Sequence, residues 1–271
     1  MTEERVIDHC HLTGKIRGVA HSSCNLKYTN PHYVPIFFHN LSGYDSNLFI
    51  KELAARDGEN ISCLPLHKEK YISFSKKIKF KTSSRSITVR FVDSFKFMPT
   101  SLKKLVKNLS PNQFQILPHY VPNPELMDLI MQKGVFPYEY IDCWSKLEEN
   151  SLPDKQLFYS ELTQTHISDH DYLHAQKVWQ KFECSSLGEY FDLYLKTDIL
   201  LLAEVFENFR GICLGVYELD PCRYLTAPGL SWDAMLKETG VNLELLTDYE
   251  MLQFIQSGIR GGISQVSKRK C

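Results

Sequence analysis

The stretch VPIFFHNLSGYD, residues 34–45, is the most informative part of this sequence for its fold. Its first five residues are apolar and lead into a turn signal, which predicts a buried β-strand over residues 34–38. Apolar residues continue through the next ten positions, so a helix is predicted over residues 46–55. A polar segment that carries Asn40 and Asp45 therefore joins a buried strand to a helix.

A second informative stretch, YLKTD at residues 194–198, lies within the longest helical signal of the chain. Apolar residues form a wide face from residue 187 to about residue 219, and Asp220-Pro221 ends the pattern. Two more strands are predicted over residues 71–80 and 86–92. Strands followed by helices predict a domain of the α/β class.

The remaining elements are predicted with less detail. Residues 110–165 are rich in Pro and Tyr and predict a long insertion of loops and short helices. Shorter helices are predicted at residues 101–105, 171–182, 231–237 and 245–257.

The composition is that of an ordinary soluble globular protein, since 43% of the 271 residues are hydrophobic, 23% are charged and the net charge is −1. Eight cysteines are scattered without a Cys-x-x-Cys pair, which indicates reduced thiols in an intracellular protein. The sequence has no apolar run of about 18 residues and no signal-peptide core, so neither a membrane partner nor secretion is expected. We therefore expect a nuclear or cytoplasmic protein.

Tyr194 and Asp198 are four residues apart on a predicted helix and therefore share one face. A phenol there can orient an attacking water while the carboxylate binds a divalent metal, and Asp45 can hold a second ion. Two metal ions about 4 Å apart stabilise both the attacking and the leaving oxygen of phosphodiester hydrolysis. These residues predict a two-metal nuclease site, with Asn40 near the substrate. The simpler alternative is that Asp45 caps the helix that begins at Ser46 and that the helical pair is structural.

Basic residues are concentrated between residues 68 and 90, where eight Lys or Arg stand against one acidic residue. The basic positions are Lys68, Lys70, Lys76, Lys77, Lys79, Lys81, Arg85 and Arg90, and the interleaved aromatic residues are Tyr71, Phe74 and Phe80, with Phe91 directly after. A channel for single-stranded DNA combines phosphate neutralisation with stacking, so this stretch predicts DNA contact. The alternative is an amphipathic hairpin whose outward Lys residues protect an edge strand.

Four short motifs in this order resemble the 3′–5′ exonuclease domain of family B DNA polymerases, in particular the protein-primed branch. Residues 40–45 resemble the second exonuclease motif, and residues 194–198 resemble the third. Ser101 and Leu102 resemble a small single-strand-binding motif that lies between them. Residues 259–262 stand where the family has Tyr-x-Gly-Gly, the linker to the polymerase domain. The resemblance implies that the single-stranded 3′ end is bound by Asn40, Ser101, Leu102, Gly261 and Gly262.

Within this branch the sequence resembles the polymerases of self-synthesising Polinton (Maverick) DNA transposons and related viral elements. The resemblance implies a ribonuclease-H-like exonuclease domain over residues 31–220 with a helical, loop-rich insertion, followed by a linker and the start of a polymerase domain over residues 221–271. It implies Mg²⁺ or Mn²⁺ at Asp45 and Asp198, with Tyr194 orienting water. DNA is the implied partner, as a single-stranded 3′ end and as primer-template; dNTPs and a priming protein are expected in an intact relative.

The sequence departs from the family pattern in three respects. The first exonuclease motif, an Asp-x-Glu strand, is expected before Asn40 and is not found. The later polymerase motifs are not found either, and Ile259 stands where the linker has Tyr. We therefore expect a fragment of a polymerase that carries an incomplete proofreading exonuclease domain. The alternatives are a single-stranded-DNA-binding module without catalysis and a decaying gene fragment without activity.

Residues 8–25, DHCHLTGKIRGVAHSSCN, resemble the core of His-Me finger endonucleases of the phage recombination type. The resemblance implies that Asp8 and Asn25 bind Mg²⁺ and that His9 activates water. Residues 1–30 are accordingly interpreted as a degenerate finger remnant. A nicking endonuclease is the alternative function that this segment predicts.

Two residues of the same segment suggest a different metal. His21 and Cys24 have the spacing of one half of a zinc knuckle. This spacing makes Zn²⁺ a second candidate cofactor. The other half, an upstream Cys-x-x-Cys, is not found in the sequence, which favours a finger remnant without metal.

Overall fold

The computed structural model describes residues 4–9, 15–27, 33–55, 61–67, 70–79 and 86–259, with the backbone alone for residues 26 and 27. These residues form a mixed α/β fold with a four-stranded sheet, two small hairpins and nine α-helices. The α/β class predicted from the sequence is confirmed. Among the helices described, none is both long and apolar enough to cross a membrane.

The first described residues form a small ββα unit. Strand β1 (Arg5–His9) pairs antiparallel with strand β2 (Ile16–His21), and helix α1 (Ser22–Lys27) follows directly. The backbone N–H of Ser22 donates to the carbonyl oxygen of Glu4 at 2.8 Å, which fixes the start of the helix beside the start of the hairpin. These elements were not predicted, because the segment has few aliphatic residues and no clear periodicity.

The central sheet is built from the next part of the chain. Its strands and the helix between them are β3 (Tyr33–Phe38), α2 (Asp45–Ala55), β4 (Ile61–His67), β5 (Lys70–Lys79) and β6 (Ser86–Asp93). The strand order is β3-β6-β5-β4, with β3 parallel to β6 and the other neighbours antiparallel. The three predicted strands and the helix are confirmed. Strand β4 was missed because most of its residues are exposed and it contains Pro65.

Side chains of β6 point into two different cores. Phe91 packs with Phe74 and with Phe49 of α2 on one face of the sheet. Val92 is fully buried on the other face, in a cluster with Phe206. Because successive strand residues point to opposite faces, this pair shows that the sheet is covered on both sides near the end of β6.

The segment after the sheet is rich in loops and short helices, as predicted. Its regular elements are α3 (Leu102–Val106), α4 (Leu117–Tyr120), α5 (Pro124–Ile130), β7 (Tyr159–Ser160) and β8 (Thr165–His166). Ser101 occupies the N-cap position of α3, although its side chain makes no capping hydrogen bond.

Four longer helices complete the described chain: α6 (Asp169–Lys181), α7 (Leu187–Tyr217), α8 (Ala227–Thr239) and α9 (Tyr249–Gly258). The N-cap of α7 is Ser186, whose side chain accepts from the N–H of Glu189, and the helix ends at Glu218 in a left-handed conformation. The long helix is confirmed within two residues at its end. Helix α8 begins earlier than predicted, with Pro228 in its first turn, and α9 begins later, after the N-cap Asp248.

Helix α7 joins the sheet to the insertion. Phe206 on α7 packs against Phe37 of β3 with ring centroids 4.0 Å apart. Two residues earlier, Glu204 is 1% exposed, and its carboxylate accepts the backbone N–H groups of Gln115, Ile116 and Leu117 at 2.6–3.0 Å. The carboxylate satisfies free donors at the start of α4 and thereby fixes the insertion to α7.

Candidate active site

Tyr194 and Asp198 lie side by side on α7, one turn apart, and both contact Lys133. The ammonium group of Lys133 donates to the Tyr194 hydroxyl at 3.0 Å and forms a short hydrogen-bonded ion pair with Asp198 Oδ2. The hydroxyl of Tyr138 also donates to that of Tyr194, at 2.9 Å. The predicted pair is therefore the base of a four-residue cluster, which we call the Tyr194–Asp198 cluster.

The loop after α5 delivers Lys133 and Tyr138 to this cluster. The ring of Phe136 packs against Tyr194 with centroids 5.6 Å apart, which holds the loop on α7. A Cβ at Gly134 would lie 3.4 Å from the Tyr194 ring, so a small residue suits the close approach. Sequence reasoning missed Lys133 and Tyr138. The one available signal was a lysine next to a glycine in an otherwise apolar loop, which is too common to single out.

The hydrogen-bonding state of Tyr194 follows from its surroundings. Burial, reinforced by the charge of Asp198, raises the pKa of Tyr194 well above its ordinary value. Burial also raises the pKa of Tyr138, and its hydrogen bond to Tyr194 acts in the same direction. Both phenols therefore keep their protons at neutral pH. Because the Tyr194 oxygen accepts bonds from Lys133 and Tyr138, its own proton is left for Asp198 or for a water molecule.

One oxygen of Asp198 fits a metal ion. Oδ1 is buried and has no hydrogen-bond partner among the described residues, whereas Oδ2 is held by Lys133. A buried carboxylate oxygen without a donor is costly, and a divalent cation is a partner that would satisfy it. Oδ1 is thus the Asp198 atom left for Mg²⁺ or Mn²⁺, and the Lys133 ammonium on Oδ2 competes with such a cation.

Three members of the cluster, Lys133, Tyr138 and Tyr194, line a cleft of about 540 Å³. The walls are the start of α3 with Ser101 and Leu102, the loop that carries Lys133 and Tyr138, the β7–β8 hairpin, the first turn of α6, and Tyr194. The structure therefore brings the predicted single-strand-binding pair and the predicted water-orienting tyrosine to one cleft. Its lining combines aromatic rings, hydroxyl groups and lysines, which are the groups that bind nucleotides.

The other predicted residues form a second group at the end of β3. Asp45 is the first residue of α2, and Asn40 stands in the preceding turn with φ 67° and ψ 33°. Asn tolerates this left-handed conformation better than most residues. A Cβ at Gly43 would lie 2.5 Å from Asn40 Oδ1, so any other residue there would displace the Asn40 side chain. Burial and then the charge of Asp93 raise the pKa of the Asp45 carboxyl.

His39 connects this turn to the cleft. Its Nε2 donates to the carbonyl oxygen of Thr100 at 2.8 Å, and its Nδ1 lies 3.0 Å from Ser94 Oγ. Thr100 directly precedes Ser101, which lines the cleft. No contact in the described part of the chain joins Asp45 to Asp198 directly. Nor do three or more His, Cys, Asp or Glu residues gather into a metal site within the described ranges.

The residues of the predicted N-terminal finger lie in the ββα unit. Arg17 pairs with Asp8 at 2.8 Å, donates to the carbonyl oxygen of His9 at 3.2 Å, and lowers the pKa of Asp8 by this hydrogen bond. Asn25 lies in α1. The predicted Mg²⁺ ligand Asp8 therefore already has a cationic partner, which sequence reasoning did not foresee.

The two candidate zinc ligands are close in the chain, and within the described ranges they do not belong to a group of three or more metal-binding side chains. His21 ends β2 and Cys24 lies in α1. The predicted substrate-binding residues Gly261 and Gly262 lie outside the described residues.

The basic stretch is only in part a surface feature. Lys76 is 4% exposed, and its ammonium donates to the carbonyl oxygen of Leu53 at 2.6 Å near the end of α2. Arg90 lies over the ring of Tyr33 at 3.7 Å. The prediction of DNA contact is wrong for Lys76, whose buried ammonium interacts favourably with the carbonyl end of α2 instead. Lys68, Lys81 and Arg85 lie outside the described residues.

Comparison with known proteins identifies the family. The family described as DNA polymerase type B, organellar and viral, matches residues 26–271, and the chain belongs to it. The predicted membership of the family B DNA polymerases is thereby confirmed. Members of this family act on DNA and generally use divalent metal ions. No curated protein and no solved structure matches the chain significantly.

Proposed function

We propose that this chain carries the 3′–5′ exonuclease region of a type B DNA polymerase and removes nucleotides from a single-stranded 3′ end. The observation that carries the proposal is the joint placement of Lys133, Tyr138 and Tyr194 with the Ser101–Leu102 pair around one cleft. Asp198 lies behind this wall, one turn from Tyr194 on α7 and bound to Lys133. The cleft has room for a nucleotide, and its tyrosines and lysines suit a base and a phosphate. The role of the region is proofreading in the replication of a mobile or viral DNA element.

The residues of the cleft and the two aspartates outside its lining have distinct parts in the proposed reaction. Asp198 Oδ1 and the Asp45 carboxylate are the proposed ligands for Mg²⁺ or Mn²⁺. When bound, the cation stabilises charge on the phosphate and favours ionisation of a bound water. Tyr194 keeps its proton and can orient the attacking water. The Lys133 ammonium fixes the positions of Tyr194 and Asp198 and lies where it can attract a phosphate oxygen.

The proposal includes a division of the chain. Residues 31–220 form the exonuclease domain, which we assign to the ribonuclease-H-like class, and residues 221–271 lead toward the polymerase domain. The mixed sheet with its parallel pair β3–β6 and a helix on each face supports this assignment. The exposed apolar residues of α9, among them Phe254 at 79%, fit a segment that leads to further structure.

The first test is degradation of single-stranded DNA that carries a 5′ label, in the presence of Mg²⁺ or Mn²⁺. We expect a ladder of products shortened stepwise from the 3′ end, and a 3′-terminal phosphorothioate should block it. Asp198→Ala and Asp45→Ala should each abolish the ladder. Asp192→Ala is the matched control, because Asp192 lies on the same helix in an exposed pair with Lys196.

The contrary outcomes are also informative. If the unmodified chain binds single-stranded DNA but does not shorten it, the protein is a binding module and the exonuclease proposal is wrong. If shortening persists in Asp198→Ala, the reaction takes place elsewhere in the chain.

The ββα unit favours a second candidate function. A β-hairpin followed by a helix places His9 at the end of the first strand and Asn25 on the helix, which is the order that the finger resemblance requires. This unit would nick duplex DNA with His9 as the general base. Metal-dependent relaxation of a supercoiled plasmid should then be lost in His9→Ala and kept in Asp198→Ala. The opposite sensitivity would assign any cleavage to the α7 site.

A further inference from the structure

Asp93 is a buried carboxylate that holds the turn between β3 and α2. It is the last residue of β6 and is 1% exposed. Oδ1 accepts the backbone N–H groups of Asn40 at 2.8 Å and Phe95 at 3.0 Å. Oδ2 accepts the N–H of Ser42 at 3.1 Å and its hydroxyl at 3.0 Å. Both oxygens are therefore engaged by the protein, which leaves Asp93 no direct role as a metal ligand.

The turn fixed by Asp93 is the one that ends at Asp45. Its other constraints are the left-handed Asn40 and the hydrogen bond from Gly43 N to Asn40 O at 3.1 Å. Asp93 bonds to both Asn40 and Ser42, so it determines the path of the backbone into the first turn of α2. A shift of this turn would move Asp45 with it.

Asp93 also affects Asp45 electrostatically. Its negative charge adds to burial in raising the pKa of the Asp45 carboxyl, so two carboxylates lie near each other without a described cationic partner for Asp45.

Glu204 provides a comparison within the same molecule. It too is 1% exposed and accepts three backbone N–H groups, but these belong to the start of α4. The two carboxylates thus have the same structural task, and only Asp93 holds a turn that leads to a proposed metal ligand.

We propose that Asp93 is a positioning residue for the proposed exonuclease site: its hydrogen bonds hold the turn at residues 40–44 so that Asp45 is placed for a divalent cation. The inference rests on the proposed function, which assigns Asp45 as a ligand. Groups that orient metal ligands through hydrogen bonds contribute substantially to metal affinity without contacting the metal.

The test is a titration of the protein with Mn²⁺ in the absence of DNA, in which the electron paramagnetic resonance signal of the free ion measures how much Mn²⁺ is bound. We expect Asp93→Asn to weaken Mn²⁺ binding roughly 10- to 100-fold, the range seen when such supporting groups are changed. Asp45→Ala should remove the affected site. Glu204→Gln is the matched control and should lower the melting temperature without changing Mn²⁺ affinity.

Each result has a definite meaning. Asp93→Asn with unchanged Mn²⁺ affinity overturns the inference, and so does an equal loss of affinity in Glu204→Gln. If Mn²⁺ binding to the unmodified chain is insensitive to Asp45→Ala and Asp198→Ala, the proposed function itself fails. These readouts separate the two failures.

A milder variant covers the case in which Asp93→Asn does not fold. Ser42→Ala removes one hydrogen bond to Asp93 and keeps the negative charge. We expect faster amide hydrogen exchange at Asn40 and Ser42, together with a loss of Mn²⁺ affinity of roughly two- to tenfold, as for one hydrogen bond. Faster exchange with unchanged affinity would overturn the positioning role.

Discussion

The two carboxylates proposed to bind metal lie in opposite electrostatic surroundings. Asp198 is paired with the Lys133 ammonium and lies beside the Tyr194 hydroxyl. Asp45 lies near the Asp93 carboxylate, and burial together with that charge raises its pKa. The negative charge of Asp198 is therefore balanced by a neighbouring cation, whereas no described residue balances that of Asp45.

The two carboxylates are therefore expected to contribute differently to stability and to cation binding. A balanced carboxylate stabilises the folded chain, because removing it leaves the partner cation alone. An unbalanced carboxylate lowers stability and is retained at a site where a cation or a proton is to be bound. The comparison therefore predicts that neutralising Asp198 lowers the stability of the folded chain, whereas neutralising Asp45 raises it.

The largest effect is expected for Lys133→Met. The ammonium contacts both Tyr194 and Asp198, so its loss releases the phenol and removes positive charge from the cleft. We expect exonuclease turnover to fall roughly 10²- to 10³-fold, as for the loss of one preorganised electrostatic contact. Lys196→Met is the control, since Lys196 lies on the same helix in an exposed pair with Asp192.

The same variant tests whether the Lys133 ammonium competes with a metal ion for Asp198. Without the competing ammonium, Asp198 should bind Mn²⁺ more tightly while turnover falls. A Lys133→Met variant with normal turnover would show that Lys133 is only a structural counter-ion.

The next effect is on stability. Asp198→Asn leaves the partly buried Lys133 ammonium without its anionic partner, so we expect the free energy of unfolding to fall by roughly 1–2 kcal/mol, between the values for exposed and buried pairs. Urea denaturation at neutral pH in EDTA measures it. Unchanged stability would mean that the Lys133–Asp198 pair contributes nothing in the folded state.

A smaller effect is expected at Asn40, where two substitutions separate backbone from side chain. Asn40→Ala places alanine in a left-handed conformation and should cost about 1–2 kcal/mol of stability. Asn40→Gly keeps that conformation available and should leave stability nearly unchanged. If the side chain contacts the 3′ nucleotide as predicted, both variants should show an equally raised KM. A normal KM in Asn40→Gly would restrict Asn40 to a backbone role.

The parts of the site that the sequence could predict are local ones. The pairing of Tyr194 with Asp198 follows from helical spacing, and the strand, turn and helix around residues 34–55 follow from a short apolar run and its turn signal. Both depend on neighbours within a few positions of the chain. The same holds for the long helix α7, whose apolar face is continuous over many turns.

The parts that could not be predicted depend on distant contacts. Lys133 meets Tyr194 and Asp198 across more than 60 positions, and Asp93 meets Asn40 across 53. Neither pairing leaves a periodic pattern, because each is set by how a loop or a strand end packs in the folded chain. Lys76 shows the same limit, since its place in a basic run predicted exposure and its contact with α2 buries it.

The smallest expected effect is that of Asp45→Asn, which should raise stability where Asp198→Asn lowers it. Because the pKa of Asp45 is raised in the folded protein, the folded state binds its proton more tightly than the unfolded chain does. Stability therefore falls as pH rises from about 3.9, the pKa of an unfolded aspartate, through the higher folded value. Above both values the ionised carboxylate lowers stability by a constant amount.

Asp45→Asn removes this unfavourable charge and should be more stable than the unmodified chain at neutral pH in EDTA. The difference should narrow as pH falls through the same window, because protonation removes the charge in both proteins. Added Mn²⁺ should reverse the order, since the cation binds the carboxylate and not the amide. Thermal unfolding as a function of pH, with and without Mn²⁺, tests these three expectations. An Asp45→Asn variant that is less stable in EDTA would show that the Asp45 charge, like that of Asp198, stabilises the fold.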